Sequence, residues 1–113
     1  MAILVVTERL AVSAASGEVG EIGNNTLVTP SKGQKIRLFY CAYNPSGAVE
    51  AAFRFGATGS LFLRNNLTMG GAVVAKDMGD LRYLEGDVDA PLILNLSAAV
   101  STIWNAFYVE TNE

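Results

Sequence analysis

An all-β chain, built as an antiparallel β-sandwich or jelly roll, is predicted by three observations. Apolar residues alternate with period two in at least four segments, short runs are punctuated by Gly, Asn and Pro, and helical spacing is convincing nowhere. The 113 residues are read as one domain, 1–113, with 1–23 serving as an N-terminal arm or an edge strand.

The apolar start, Ala2 to Val6, is cut off by Glu8 and Arg9 and has no basic residue ahead of it. That pattern predicts a first strand and no signal peptide. Leu10 to Ser16 is ambiguous, since its alanines favour helix while Val12 and two serines do not. From Lys35 to Tyr43, strict alternation puts Ile36, Leu38, Tyr40 and Ala42 on one face and Arg37, Phe39, Cys41 and Tyr43 on the other. Both faces are bulky and apolar, which predicts a strand covered on both sides, by the protein itself or by a neighbouring subunit. Asn44-Pro45-Ser46-Gly47 is an explicit turn.

Ala51 to Phe55 alternates again, and Gly56-Ala57-Thr58-Gly59 connects it to a hairpin partner, Leu61 to Arg64. Asn65-Asn66 is expected to turn the chain, and Gly70-Gly71 to bend it. Lys76 to Asp89 is the most polar stretch and is expected to be a long exposed loop carrying a short strand. Two clear strands follow. Leu92, Leu94 and Leu96 alternate with Ile93 and Asn95. From Val100 to Glu110, the set Val100, Thr102, Trp104, Ala106 and Tyr108 opposes Ile103, Asn105, Phe107 and Val109. Eight to ten strands in all are expected.

Composition narrows the function. The chain has no histidine and one cysteine, Cys41. It therefore lacks the usual proton shuttle and a second thiol for an internal disulfide or a thiolate metal cage. Hydrophobic residues make up 50% and charged ones 17%, with a mean hydropathy of +0.30. No apolar run approaches the roughly 18 residues of a membrane span. The apolar surplus instead predicts a subunit interface and a homo-oligomer. The eight basic residues are scattered and the net charge is −3, so no groove for nucleic acid is expected.

No residue pattern suggests catalysis or a cofactor. Asp77, Asp80, Glu85, Asp87 and Asp89 offer hard oxygen ligands but match no EF-hand spacing. They are read as a solvated loop with no metal, too crowded in one stretch for glycosidic cleavage. There is no G-x-S-x-G elbow, and Gly56 to Gly59 lacks the length and lysine of a P-loop. Three glycosylation sequons, beginning at Asn24, Asn66 and Asn95, carry no weight without a signal peptide. Cys41, with no lysine or histidine nearby in sequence, reads as a buried structural residue. Trp104 and Tyr108, four apart on one face, fit core or interface packing better than a sugar-stacking platform. The oligomer-interface candidates are Phe39, Tyr43, Phe62, Trp104 and Tyr108.

The stretch Lys35 to Tyr43 followed by Asn44-Pro45-Ser46-Gly47, then Phe53-Arg54-Phe55-Gly56, Leu92 to Val100 and the closing aromatic strand resembles small all-β structural proteins of tailed bacteriophages, of the capsid decoration (cement) type. The resemblance implies a jelly-roll or sandwich protomer, commonly a homotrimer, seated on a lattice of major capsid protein and free of catalytic residues. It places the protein in the virion, made in the host cytoplasm. The alternative is a carbohydrate- or receptor-binding module of a tail fibre, exposing Trp104, Tyr83 or Tyr108 around a groove.

Overall fold

The computed structural model describes residues 12–71, 73–77 and 82–112. Among them lie nine strands and no helix: β1 Ser13–Val19, β2 Gly23–Val28, β3 Lys35–Pro45, β4 Val49–Phe55, β5 Phe62–Leu67, β6 Val74–Asp77, β7 Leu84–Glu85, β8 Leu92–Leu96 and β9 Thr102–Thr111. They form two antiparallel sheets packed face to face, a β-sandwich. The first sheet has the order β1-β9-β3-β6, with β7 also paired to β3, and the second has the order β2-β8-β4-β5.

Period two decides which side chains go inside. On β9, Thr102, Trp104 and Ala106 are buried while Ile103, Asn105 and Phe107 are exposed. On β8, Leu92, Leu94 and Leu96 all lie within the core. Phe53 on β4 is fully buried; its ring meets Tyr43 edge-on at 5.5 Å and stacks on Phe62 at 5.9 Å. Each such aliphatic or aromatic side chain contributes about 1.5–3 kcal/mol through its removal from water, so this seam between the sheets holds the fold.

The long strand β3 departs from strict alternation. Leu38 pairs with Tyr108 and Tyr40 with Phe107, leaving Phe39 as the extra residue of a bulge. The bulge shifts the frame by one. Ile36 and Leu38 before it, and Cys41 and Tyr43 after it, therefore all belong to the core. The expected single frame through Tyr43 is thus corrected: Cys41 and Tyr43 join Ile36 and Leu38, and Tyr40 takes the other side, opposite the exposed Phe107. A second bulge interrupts the β4–β5 hairpin, where Ala51 pairs with Asn65 but Phe53 with Phe62. Leu63 there has a φ of 51°, the left-handed conformation that bulges impose.

Two expected turns are displaced. Asn65 and Asn66 lie within β5, paired with Ala51 and Glu50, because ladder pairing overrides the weak strand preference of asparagine. Asn44 and Pro45 complete β3 opposite Ile103 and Thr102, and the bend falls at residues 46–48. The Pro45 carbonyl accepts from Gly71 N, on the side where β6 has already ended at Val74. A residue's N–H and C=O point to the same side of an antiparallel strand, so proline's missing donor removes no ladder bond.

From Ser13 the ambiguous N-terminal stretch is strand, and among the described residues it lies at a sheet edge. The apolar start Ala2 to Val6 lies outside the described residues. The polar stretch from Lys76 contains the end of β6 and the two-residue β7, with 78–81 outside the described residues.

Two buried polar residues are satisfied internally. Asn25 Nδ2 donates to the carbonyls of Glu21 (2.8 Å), Gly23 (3.2 Å) and Leu94 (3.2 Å), and its Oδ1 accepts from Glu21 N. Thr102 Oγ1 donates to the Val100 carbonyl at 2.9 Å. No buried side-chain nitrogen or oxygen among the described residues lacks a partner, as a close-packed interior requires.

Candidate functional site

The five residues expected at an oligomer interface do not converge. Tyr43 is 1% exposed and Trp104 6%, and both pack inside this chain's own core. The single Tyr43 O–H proton is shared between the carbonyls of Ala51 (3.2 Å) and Leu63 (3.1 Å), tying the first sheet to the second. Burial raises its pKa, outweighing a lowering hydrogen bond from Asn65. The contact area of these two aromatics is thus taken up within the protomer, which removes them from the surface. It also removes the Trp104 half of a sugar platform. Tyr108 is half-buried against the core opposite Leu38, and burial raises its pKa too, with Glu110 adding to the effect.

Phe62 is half-buried on the second sheet beside Phe53 and Phe55. With Phe55, Leu61, Leu84, Gly86 and Asp87 it lines an open groove of about 310 Å³ at one mouth of the sandwich. Leu61 and Leu84 are each 39% exposed there. Phe39, displaced by the bulge, meets Tyr83 edge-on at 5.6 Å, and Arg37 lies over the Tyr83 ring at 4.8 Å. Arg37 Nε also donates to Glu85 at 2.7 Å, and Lys35 Nζ reaches the same carboxylate at 3.0 Å. The Arg37 hydrogen bond, then the Lys35 one, holds the Glu85 carboxyl below the usual range. Tyr83 is therefore exposed but already engaged.

Of the other acidic residues, Asp80 lies outside the described residues. Asp77 sits on β6 opposite Tyr40, and Asp89 accepts from Gly33 N at 2.6 Å. Among the described residues, no group of three or more Cys, Asp or Glu is placed to hold a metal ion. No helix of the described residues is long and apolar enough to cross a membrane. Of the arginines, Arg54 directs Nε and Nη2 onto the Gly59 carbonyl at 3.0 and 2.7 Å, pinning the β4–β5 loop. Arg64 pairs with Glu50.

What the surface does offer is the outer face of the first sheet. Ile103 is 57% exposed and Phe107 44%. The Phe107 ring lies 5.3 Å from Tyr40 on the neighbouring strand, and Ala14 of β1 flanks it on the other side. Across three strands this makes an apolar row, Ala14–Phe107–Tyr40, with Ile103 further along β9. The alternation of β9 held the signal, because Ile103 and Phe107 oppose Trp104; the missing step was knowing that Trp104 faces inward.

Cys41 is fully buried, and burial pushes its thiol up to about 12. At about pH 9 only on the order of a thousandth is thiolate, the reactive form. Native protein is therefore expected to label with a thiol reagent far more slowly than denaturant-unfolded protein; equal rates would contradict this placement. The sign of the linkage is also fixed. A thiol with a raised folded-state pKa favours folding fully below its unfolded value of 9.0, and that contribution is lost as pH rises from there towards 12. Denaturant midpoints should fall above about pH 9, and less so for Cys41→Ala. That substitution should itself cost below about 2 kcal/mol for so small a side chain.

No protein-family model matches the chain, and no curated protein is a match.

Proposed function

We propose that this is a non-catalytic structural protein that acts as a homo-oligomer bound to a preassembled protein lattice, a bacteriophage capsid. The observation that carries this reading is the outer face of the first sheet. It exposes Phe107 beside Tyr40, with Ile103 four residues along β9 on the same face beyond Asn105, on a scaffold whose buried side-chain polar atoms are satisfied among the described residues, and large apolar side chains exposed together on one face mark interaction surfaces. The capsid itself comes from the resemblance of the strand and turn texture to decoration proteins.

We read the strand order, β1-β9-β3-β6 facing β2-β8-β4-β5, as a jelly roll, an architecture that serves both viral capsid proteins and lectins. Fold alone does not choose between those roles. The burial of Trp104 supports the structural one, since the largest ring available for sugar stacking is inside.

A protein that binds only the assembled lattice stabilises it by mass action. Purified protein mixed with undecorated heads is expected to co-sediment with them saturably and to show no saturable binding to a glycan panel. Saturable glycan binding without attachment to heads would replace this reading with that of a receptor-binding module.

A further inference from the structure

Among the described residues the four sheet edges are not alike. An unpaired edge strand invites pairing with another chain, and proteins blunt edges with short strands, charges, proline or bulges. Three edges here carry such devices. The far side of the first sheet ends in β6, four residues including Lys76 and Asp77, and β7, two residues. In the second sheet, β2 has a register shift between Thr26 and Val28. At the opposite edge, β5 carries Arg64, the left-handed Leu63 and a bulge.

β1 carries only one of them, a single charge. Its seven residues pair with β9 in unbroken register from Ser13↔Tyr108 to Val19↔Thr102. It contains no proline and no basic residue, and Glu18 is its one charge. Among the described residues, no strand pairs with its outer side.

We propose that β1 is a self-association strand, and that two copies of this chain pair β1 to β1 antiparallel about a two-fold axis at Ser16. The occupant follows from self-complementarity. Ser16 is the central residue of Ser13–Val19, so this axis is the one that pairs all seven residues. It sets Ala14 of one copy against Glu18 of the other, Ala15 against Gly17, Ser13 against Val19, and Ser16 against Ser16. Glu18 never meets Glu18, and like charges directly opposite would oppose pairing.

Five of the seven residues, Ser13 to Gly17, are Ser, Ala or Gly, so little around the axis holds the backbones apart. Paired residues share parity, and the outer faces of the two copies therefore run on as one surface. Ala14, Ser16 and Glu18 stand opposite Phe107, Asn105 and Ile103, so both apolar rows end up on the same side of one continuous sheet. This departs from the trimer implied by the phage resemblance, and it does not depend on the capsid reading.

The test is cross-linking of free protein, without heads. In a Cys41→Ala background, Ser16→Cys places two thiols across the axis, and the roughly 4.5–5.5 Å between directly opposite Cα atoms suits a disulfide. Oxidation is expected to give a disulfide-linked dimer, while Ile22→Cys, 68% exposed and outside β1, gives little. In the native background Ser16→Arg, which sets like charges face to face, should shift the mass in light scattering from dimer towards monomer.

A monomeric parent protein, or an oligomer that neither cross-links through residue 16 nor responds to Ser16→Arg, would overturn the inference. So would cross-linking that appears only after residues 1–11 are removed, since that would show the chain's own N-terminal segment covering the edge. Head binding by a protein that fails these tests would leave the proposed function standing without this interface.

Discussion

Phe53→Ala is expected to remove about 3–5 kcal/mol of folding stability, among the largest losses from any single core truncation here. Phe53 is fully buried, pairs with Leu94 on one side and Phe62 on the other, and meets Tyr43 across the sandwich. Removing the ring breaks contacts to both sheets at once, and the strands around it are too tightly laddered to collapse into the space. Domains of this size have about 5–15 kcal/mol in total, so about a fifth or more is at stake. Thermal unfolding should show a midpoint on the order of 15–30 °C lower. A drop of only a few degrees would mean that the two sheets are not joined through this residue.

Gly70→Ala is expected to be among the most damaging changes outside the core. A Cβ at Gly70 would lie 2.2 Å from the Ser46 carbonyl oxygen and 2.7 Å from Gly47 N. These are backbone atoms of the β3–β4 turn and cannot rotate away. One of two crossing chain segments must move, and overpacking of this kind costs about 1–3 kcal/mol or more. The neighbouring Gly71 supplies the control. It has a φ of +87°, and nothing lies within 4 Å of its Cβ position, so alanine there meets only conformational strain of about 1–2 kcal/mol. Chemical denaturation should rank Gly70→Ala as the more destabilised, and the reverse order would show that the two segments do not touch.

The elements that could be read from the sequence are those in which alternation runs unbroken. Leu92 to Leu96 and Thr102 to Glu110 show the expected faces, and the hairpin of β4 and β5 joins where Gly56 to Gly59 indicated. β3 was misread at one place for a physical reason. Phe39 and Tyr40 are both aromatic, so a residue inserted between two frames leaves no trace in an apolar pattern. Asn65-Asn66 misled because a turn-forming pair becomes strand when Ala51 and Glu50 supply the ladder.

The strand order across each sheet was not legible at all. It rests on long-range pairings such as Lys35↔Thr111, which no local window contains. The same limit scattered the interface candidates. Tyr43 and Trp104 sit in apolar alternating strands, and alternation sorts residues onto two faces without saying which face is inward. With Trp104 inward, Ile103 and Phe107 become the exposed pair, and their spacing on β9 had been visible from the start.

The central claim is that this outer face of the first sheet attaches the protein to an assembled lattice. Thermal disruption of undecorated phage heads tests it most directly, measured alone, with wild-type protein, and with an Ile103→Ser/Phe107→Ser variant. Both side chains are exposed, so the variant should fold as the wild type does, which its own unfolding curve checks. The account predicts that wild-type protein raises the disruption temperature saturably and that the folded double variant does not. An unchanged disruption temperature with wild-type protein, or full protection by the variant, would contradict it.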